Sequence, residues 1–204
     1  MHISWLGSTA FRIQTKPDAD DVVVVIDPYK PKEGTFPRSL TPQIALFTRG
    51  EEDAITLSAD PFTLSHPGEI ETKGVLVTTV QGHEKNTLMI RVDSEHMSIG
   101  HVGHISKPLT DEQLEVISGV DILCVPVGGK DCFNAEAAVK MVNTIEPRIV
   151  IPMSFKSDND PEEADVSAFL NAIGAPNDGA EKKVIIKHKD LPQEETRIIV
   201  LAKE

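Results

Sequence analysis

Basic side chains are scarce in this chain, cysteines scarcer, and long apolar runs missing altogether. Lys and Arg number 20 against 32 Asp and Glu in 204 residues, a formal net charge of -12. That balance argues against a phosphate backbone as main partner, so nucleic-acid processing is not expected. No apolar run is long enough to span a bilayer, and Met1-His2-Ile3-Ser4-Trp5 lacks the basic start and apolar segment of a secretory signal. The expected setting is therefore cytoplasmic, with no membrane partner. The two cysteines, Cys124 and Cys132, have no CxxC spacing, which fits a reducing compartment and excludes a disulfide framework. Cys124 reads as core packing in an apolar strand. Cys132 follows a Gly-Gly-Lys-Asp turn with no base close to it in sequence. Gly128-Gly129-Lys130 lacks the spacing of a phosphate-cradling P-loop and reads as a rim loop.

What is present is enough apolar residue for one substantial core, 40 % of the chain, with no Ser/Gly-rich or Pro-rich linker to divide it. A single domain over residues 1–204 is expected. Short β-rich runs come first, at His2–Leu6, Phe11–Thr15, Val22–Ile26, Ile44–Phe47, Val75–Val80, Thr87–Val92 and His96–Ile99. Helices with legible ends follow. Thr110 and Gln113 form a capping-box pattern, with Leu109 and Leu114 placed as a hydrophobic staple. Asn134 caps a helix whose apolar face is Ala135, Ala138, Val139, Val142 and Ile145 and which Pro147 stops. A third helix is predicted to start at Asp160-Pro161, with Glu163 in its first turn, and to end at Gly174. Strands Ile122–Val125, Arg148–Ile151, Lys183–Ile186 and Arg197–Leu201 alternate with these helices. This pattern gives an α/β or α+β protein in which sheet must be covered by helix.

A series of landmarks in fixed order resembles the metallo-β-lactamase fold, in particular its small zinc-dependent hydrolase-like branch. They are Trp5-Leu6-Gly7, Val24-Val25-Ile26-Asp27-Pro28, the loop from Thr48, Pro67-Gly68-Glu69, Lys85-Asn86-Thr87, Pro126-Val127-Gly128-Gly129 and Ile151-Pro152-Met153. The resemblance implies a four-layer αββα sandwich and a dinuclear zinc hydrolase site. It also allows a homo-oligomer.

The ligand positions of that site are mostly changed. Where the family carries His-x-His-x-Asp-His, this chain has Arg49 and Glu51 for the first two histidines, Asp53 for the aspartate and Ala54 for the last histidine. Arg49 has no lone pair for a cation and stays protonated. The family's Gly-Asp becomes Gly100-His101, and the histidine after Pro-Met becomes Ser154. A serine hydroxyl is a feeble zinc ligand. His83 lies near another family histidine, and Gly7-Ser8 stands where relatives have Gly-His.

Each residue also has a structural reading. Glu51-Glu52-Asp53 suits a solvated first helical turn, His101 and His104 suit loop hydrogen bonding, with a metal role for either as the alternative, Asp27 shapes a turn that orders the site loop, and Pro67-Gly68-Glu69 is a turn.

Three functions compete. The leading one is a pseudoenzyme or binding scaffold that has lost the dinuclear zinc site, has no cofactor, and uses Arg49 to pair with Asp53 or Glu51. The second is a hydrolase with a reduced mononuclear zinc site of Asp53, His83 and His101, with Asp53 as the candidate catalytic carboxylate. The third is a metal-free binding module for an anionic small molecule or a protein, read by Arg49.

Overall fold

The computed structural model describes residues 1–204. Strands β1 (His2–Gly7), β2 (Ala10–Thr15), β3 (Val22–Ile26), β4 (Ile44–Leu46) and β5 (Phe62–Leu64) open the chain. Then come β6 (Gly68–Thr72), β7 (Val75–Gln81), β8 (Leu88–Ser94), β9 (Met97–His101) and α1 (Asp111–Ile117). The chain ends with β10 (Ile122–Pro126), α2 (Ala135–Ile145), β11 (Ile149–Met153), α3 (Val166–Ile173), β12 (Val184–Ile185) and β13 (Arg197–Ile198). They form a six-stranded sheet in the order β12-β1-β2-β3-β4-β5 and a seven-stranded sheet in the order β13-β11-β10-β9-β8-β7-β6. Both sheets are mixed, and they form a helix-flanked sandwich in which α1 and α2 lie against β7, β8 and β10 of the seven-stranded sheet.

The run Val22–Ile26 shows why continuous apolar sequence is needed here. Val22, Val24 and Ile26 enter the main 46-residue core, whereas Val25 joins Leu6, Ala10 and Leu40 in a separate cluster on the other face. A strand buried on both faces cannot alternate with polar residues. The main core lies between the sheets, drawing Ile3, Trp5, Ile13 and Ile44 from the first and Val77, Ile90, Ile99, Cys124 and Ile151 from the second. Cys124 is 1 % exposed, and burial raises its thiol pKa, so it is packing. Helix α1 packs on β7 and β8, and α2 packs on β10 and α3.

The caps at Thr110 and Asn134 form as expected. Thr110 accepts from the Gln113 amide while the Gln113 side chain accepts from the Thr110 amide, and Asn134 accepts from the Ala137 amide. Leu109 and Leu114 both pack on the core.

Several boundaries differ from expectation. Helix α3 starts not at Asp160-Pro161 but at the cap Asp165, whose carboxylate accepts from the Ser167 amide at 2.9 Å. Residues before it are held elsewhere: the Ala164 amide donates to the Gly128 carbonyl at 2.9 Å and the Lys130 amide to Glu163 at 3.0 Å. Glu163 is thereby fixed to the loop after β10 rather than to a helical turn. Gly68 and Glu69 start β6 instead of making a turn, because their backbone pairs with Thr79 and Thr78 of β7. Glu95 and His96, both with positive φ, form the tight connection from β8 to β9, so His96 precedes the strand. The last two strands are shorter than the apolar pattern suggests: β12 spans only Val184–Ile185, and beyond Ile198 the pairing is reduced to the Ile199 amide on the Val150 carbonyl and the single bridges of Glu181 with Leu201 and Trp5 with Lys203.

Candidate functional site

β3 runs parallel to β4, and β9, β10 and β11 run parallel to one another, so their carboxyl ends deliver loops to common ends of the two sheets. Ligand clefts in sheets with parallel strands lie at those ends. Here a cleft of about 580 Å³ is lined by Asp27, Tyr29, Arg49, Asp53, His104 and Glu163 among others. A larger depression of about 1080 Å³, between the ends of α2 and α3 and the C-terminal segment, contains no histidine or cysteine and is not where the chemistry gathers.

Asp27 follows β3 directly and is 1 % exposed, with φ +52°. Its two carboxylate oxygens accept from the Thr48 amide and the Thr48 hydroxyl, both at 2.6 Å. The turn-forming aspartate thus orders the first residue of the site loop, as its place before Pro28 suggested. Arg49 comes next. Its amide donates to the Tyr29 hydroxyl at 2.9 Å, that hydroxyl donates to the Gly50 carbonyl at 3.0 Å, and the Arg49 guanidinium lies 4.0 Å from the centre of the Tyr29 ring. Burial first, and the Asp27 carboxylate second, push the Tyr29 hydroxyl pKa upward, so it stays a neutral donor.

Pairing of Arg49 with Asp53 or Glu51 does not form: no carboxylate lies within ion-pair distance of it. Its partner is the ring face, an attraction of about 0.5–2 kcal/mol. Glu51 instead accepts from the Ser65 hydroxyl at 2.6 Å, and Asp53 is exposed on the cleft rim. Nor do residues 51–53 begin a helix. The Lys30 amide takes the Asp53 carbonyl at 2.9 Å, the Ile55 amide takes the Pro28 carbonyl at 2.8 Å, and Ala54 bridges Tyr29, so the loop is zipped to the chain beyond β3.

His101 ends β9 fully buried, edge-on to the Phe11 ring. Nε2 is 2.9 Å from the Thr9 carbonyl, and Nδ1 is 3.2 Å from the Gly103 amide. These partners assign a neutral ring with the proton on Nε2. Both nitrogens are engaged, so neither offers a lone pair to an ion. Burial, opposed by the nearby Asp27 charge, lowers its pKa. The unfolded chain binds a proton at this ring near pH 6.5 that the folded chain refuses, so acidification favours unfolding. Urea titrations between pH 7.5 and 5.5 are expected to show stability falling with pH, and His101→Gln is expected to remove up to about 1.4 kcal/mol per pH unit of that slope. An identical slope in the variant would contradict a neutral buried His101.

His83 lies in a neighbouring small cleft with Thr48 and Lys107, its Nε2 3.2 Å from the Lys107 carbonyl. Arg49 and His104 line both clefts and stand between them. Ser154 directly follows β11 with φ +49°, fully buried, its hydroxyl without a hydrogen-bond partner. Asp53, His83 and His101 are therefore not gathered around one point.

The group that does gather was not singled out from the sequence. One donor atom each from His104, Cys132 and Glu163 lies within 4.8 Å of the others. Cys132 is 6 % exposed and Glu163 9 % exposed. His104 Nδ1 is buried and has no hydrogen-bond partner. Burial pushes the Cys132 thiol up to about 11, against the opposing pull of hydrogen bonds from the Gly129 and Gly128 backbone. Burial also lowers the His104 pKa, with the Glu163 charge acting the other way. Asp160, next to this wall, has its pKa raised by burial and by Glu163. Cys132 lacked a base near it in sequence, and the fold supplies a histidine. The signals available were His104 three residues after His101 and the Gly-Gly turn before Cys132, whereas Glu163 was hidden by its resemblance to a helix start.

The family defined as the beta-lactamase superfamily domain matches residues 2–154 of the chain. A metal-dependent hydrolase of Methanopyrus kandleri is 22 % identical over 209 residues, covering 80 % of this chain and 89 % of the relative. Another of that description, from Methanosarcina mazei, is 23 % identical over 91 % of this chain and 95 % of its own. Among solved structures, a Thermotoga maritima protein described as a Zn-dependent hydrolase of the metallo-β-lactamase superfamily superposes with TM-score 0.80 at 21 % identity, covering 98 % of both chains. Igni18, a metallo hydrolase of Ignicoccus hospitalis, gives TM-score 0.65 at 15 % identity over 91 % of this chain and 99 % of its own. At these identities the superpositions establish the fold. No helix of the chain is long and apolar enough to cross a membrane.

Proposed function

Because this chain belongs to the beta-lactamase superfamily domain family, we propose that it is a member that has given up the dinuclear zinc centre and keeps the cleft as a binding pocket for a small molecule bearing an anionic group. The observation that carries this reading is Arg49. Its guanidinium stands where the first zinc-binding histidine is expected, oriented on the Tyr29 ring at 4.0 Å and without a carboxylate partner. A guanidinium has no lone pair to give an ion at that ligand position, and it suits a carboxylate or phosphate through two parallel hydrogen bonds. Lys30 and Lys32 line the same cleft.

The donor set at the family positions does not fit two zinc ions. Ala54 offers a methyl group, Ser154 a neutral hydroxyl, and both His101 nitrogens are hydrogen-bonded. The hydrolase reading built on Asp53, His83 and His101 is weakened by the same geometry, since His83 faces the neighbouring cleft.

A thermal-shift screen of dicarboxylates and phosphate esters tests the pocket. A ligand at 100 times its Kd stabilises by about 2.7 kcal/mol, a Tm rise of roughly 5–10 °C for a chain of this size. The rise is expected to vanish in Arg49→Ala. A response kept in that variant excludes Arg49 as the reader.

A further inference from the structure

We infer that His104, Cys132 and Glu163 form a mononuclear site for a zinc-like divalent metal at the wall of the cleft. None of the three stands at a family ligand position assigned above. The inference goes beyond the binding-pocket reading and does not require it.

The donor chemistry is that of a zinc site: an imidazole nitrogen, a thiolate sulfur and a carboxylate oxygen, brought together from the loops after β9 and β10 and the loop before α3. Tetrahedral zinc with bonds of 2.0–2.3 Å places its ligand atoms about 3.4–3.8 Å apart. The three donors already lie within 4.8 Å, so closure on an ion needs a contraction of about 1.4 Å at most.

The wiring around them supports a ligand role over a purely structural one. Nδ1 of His104 is buried and unpartnered, one of only two such side-chain atoms in the chain. A buried polar atom with no partner costs about 1–3 kcal/mol, which a coordinated ion would offset. The Cys132 thiol, which burial keeps protonated, donates to the Phe133 carbonyl at 3.6 Å, and a bound ion would take the place of that proton. The Lys130 amide fixes Glu163 Oε2 at 3.0 Å and leaves Oε1 for the ion. Metal ligands are ordinarily steadied by such outer partners.

The same trio also invites a thiol nucleophile with a histidine base. No hydrogen bond joins Cys132 to His104, however, whereas that mechanism needs the two in contact. Donors arranged around a common centre without bonding one another are what an ion requires. His104 and Glu163 line the cleft, so the fourth position of the metal would face it and Asp160.

Cobalt(II) titration of the chelator-stripped full chain tests this directly. One cobalt per chain is expected, with a near-ultraviolet thiolate-to-cobalt charge-transfer band and the intense visible absorption of tetrahedral cobalt. Cys132→Ser should abolish the charge-transfer band, and Glu163→Gln should weaken cobalt binding more than ~10-fold, since even outer-partner losses cost that much. His188→Ala should change neither. Failure to bind cobalt, a band that survives Cys132→Ser, or unaltered affinity in Glu163→Gln overturns the inference. The Glu163→Gln arm keeps the test decisive if Cys132→Ser fails to fold. An absence of bound metal would leave the binding-pocket reading intact. Two ions per chain would instead defeat the loss of the dinuclear centre.

Discussion

Gly128→Ala is expected to lower stability by about 3 kcal/mol, at the upper end of what overpacking costs, and to reduce Tm by roughly 6–12 °C. A Cβ at this position would lie 2.1 Å from the Ser154 carbonyl oxygen and 2.3 Å from Glu163 Oε2. The first neighbour is backbone at the end of β11 and cannot swing aside. The second is the carboxylate assigned to the metal wall, and pushing it away also strains its bond from the Lys130 amide. Gly50 is the informative comparison, since a Cβ there meets nothing within 4 Å although its φ is +77°. Gly50→Ala is expected to cost only the backbone strain, about 1–2 kcal/mol. Differential scanning calorimetry of the two variants ranks them. Equal losses would show that the close approach of β11, the loop after β10 and Glu163 is not tight in solution.

Asp27→Ala has the second large effect, about 3–5 kcal/mol measured by urea unfolding at pH 7. It removes two charge-assisted hydrogen bonds of 2.6 Å and leaves the buried Thr48 amide and hydroxyl without that acceptor. Alanine also fits poorly at φ +52°, a conformation that asparagine tolerates better. Asp27→Asn is therefore expected to cost about half as much, because its single carbonyl oxygen still accepts from one of the two donors. The consequence extends to function. Thr48 is the residue before Arg49, so releasing it lets the guanidinium leave the Tyr29 ring, and the ligand-induced rise in Tm should shrink although Arg49 itself is intact. An Asp27→Ala protein with unaltered stability would remove the physical basis for an ordered site loop.

These two residues show what was legible in the sequence. Asp27 before Pro28 could be read as a turn that orders a loop, because the determinants are local: a short acceptor side chain at the end of a β-branched run. The capping residues Thr110 and Asn134 were legible for the same reason. The start of α3 was not. Asp160-Pro161 with Glu163 carries a good local signal for a helix, but the Glu163 carboxylate and the Ala164 amide are claimed by the loop after β10, about thirty residues earlier in the chain. Tertiary hydrogen bonds displaced the helix start to Asp165.

The candidate site divides along the same line. The ordered series of landmarks located the fold, and the substitutions at 49, 54 and 154 could be interpreted from side-chain chemistry alone. The burial of His101 under the Thr9 carbonyl depends on a residue 92 positions away. The approach of His104, Cys132 and Glu163 depends on three separate loops, with no spacing pattern to announce it. Arg49 had two acids close by in sequence, Glu51 and Asp53, yet the fold turned it onto Tyr29 because the loop is zipped to the chain just beyond β3.

Metal content after saturation with zinc and manganese, followed by exhaustive dialysis and elemental analysis, most directly tests the loss of the dinuclear centre. At most one ion per chain should remain, and its amount should be unchanged in Asp53→Asn and His101→Gln. Two ions per chain, falling when either residue is replaced, would contradict the account.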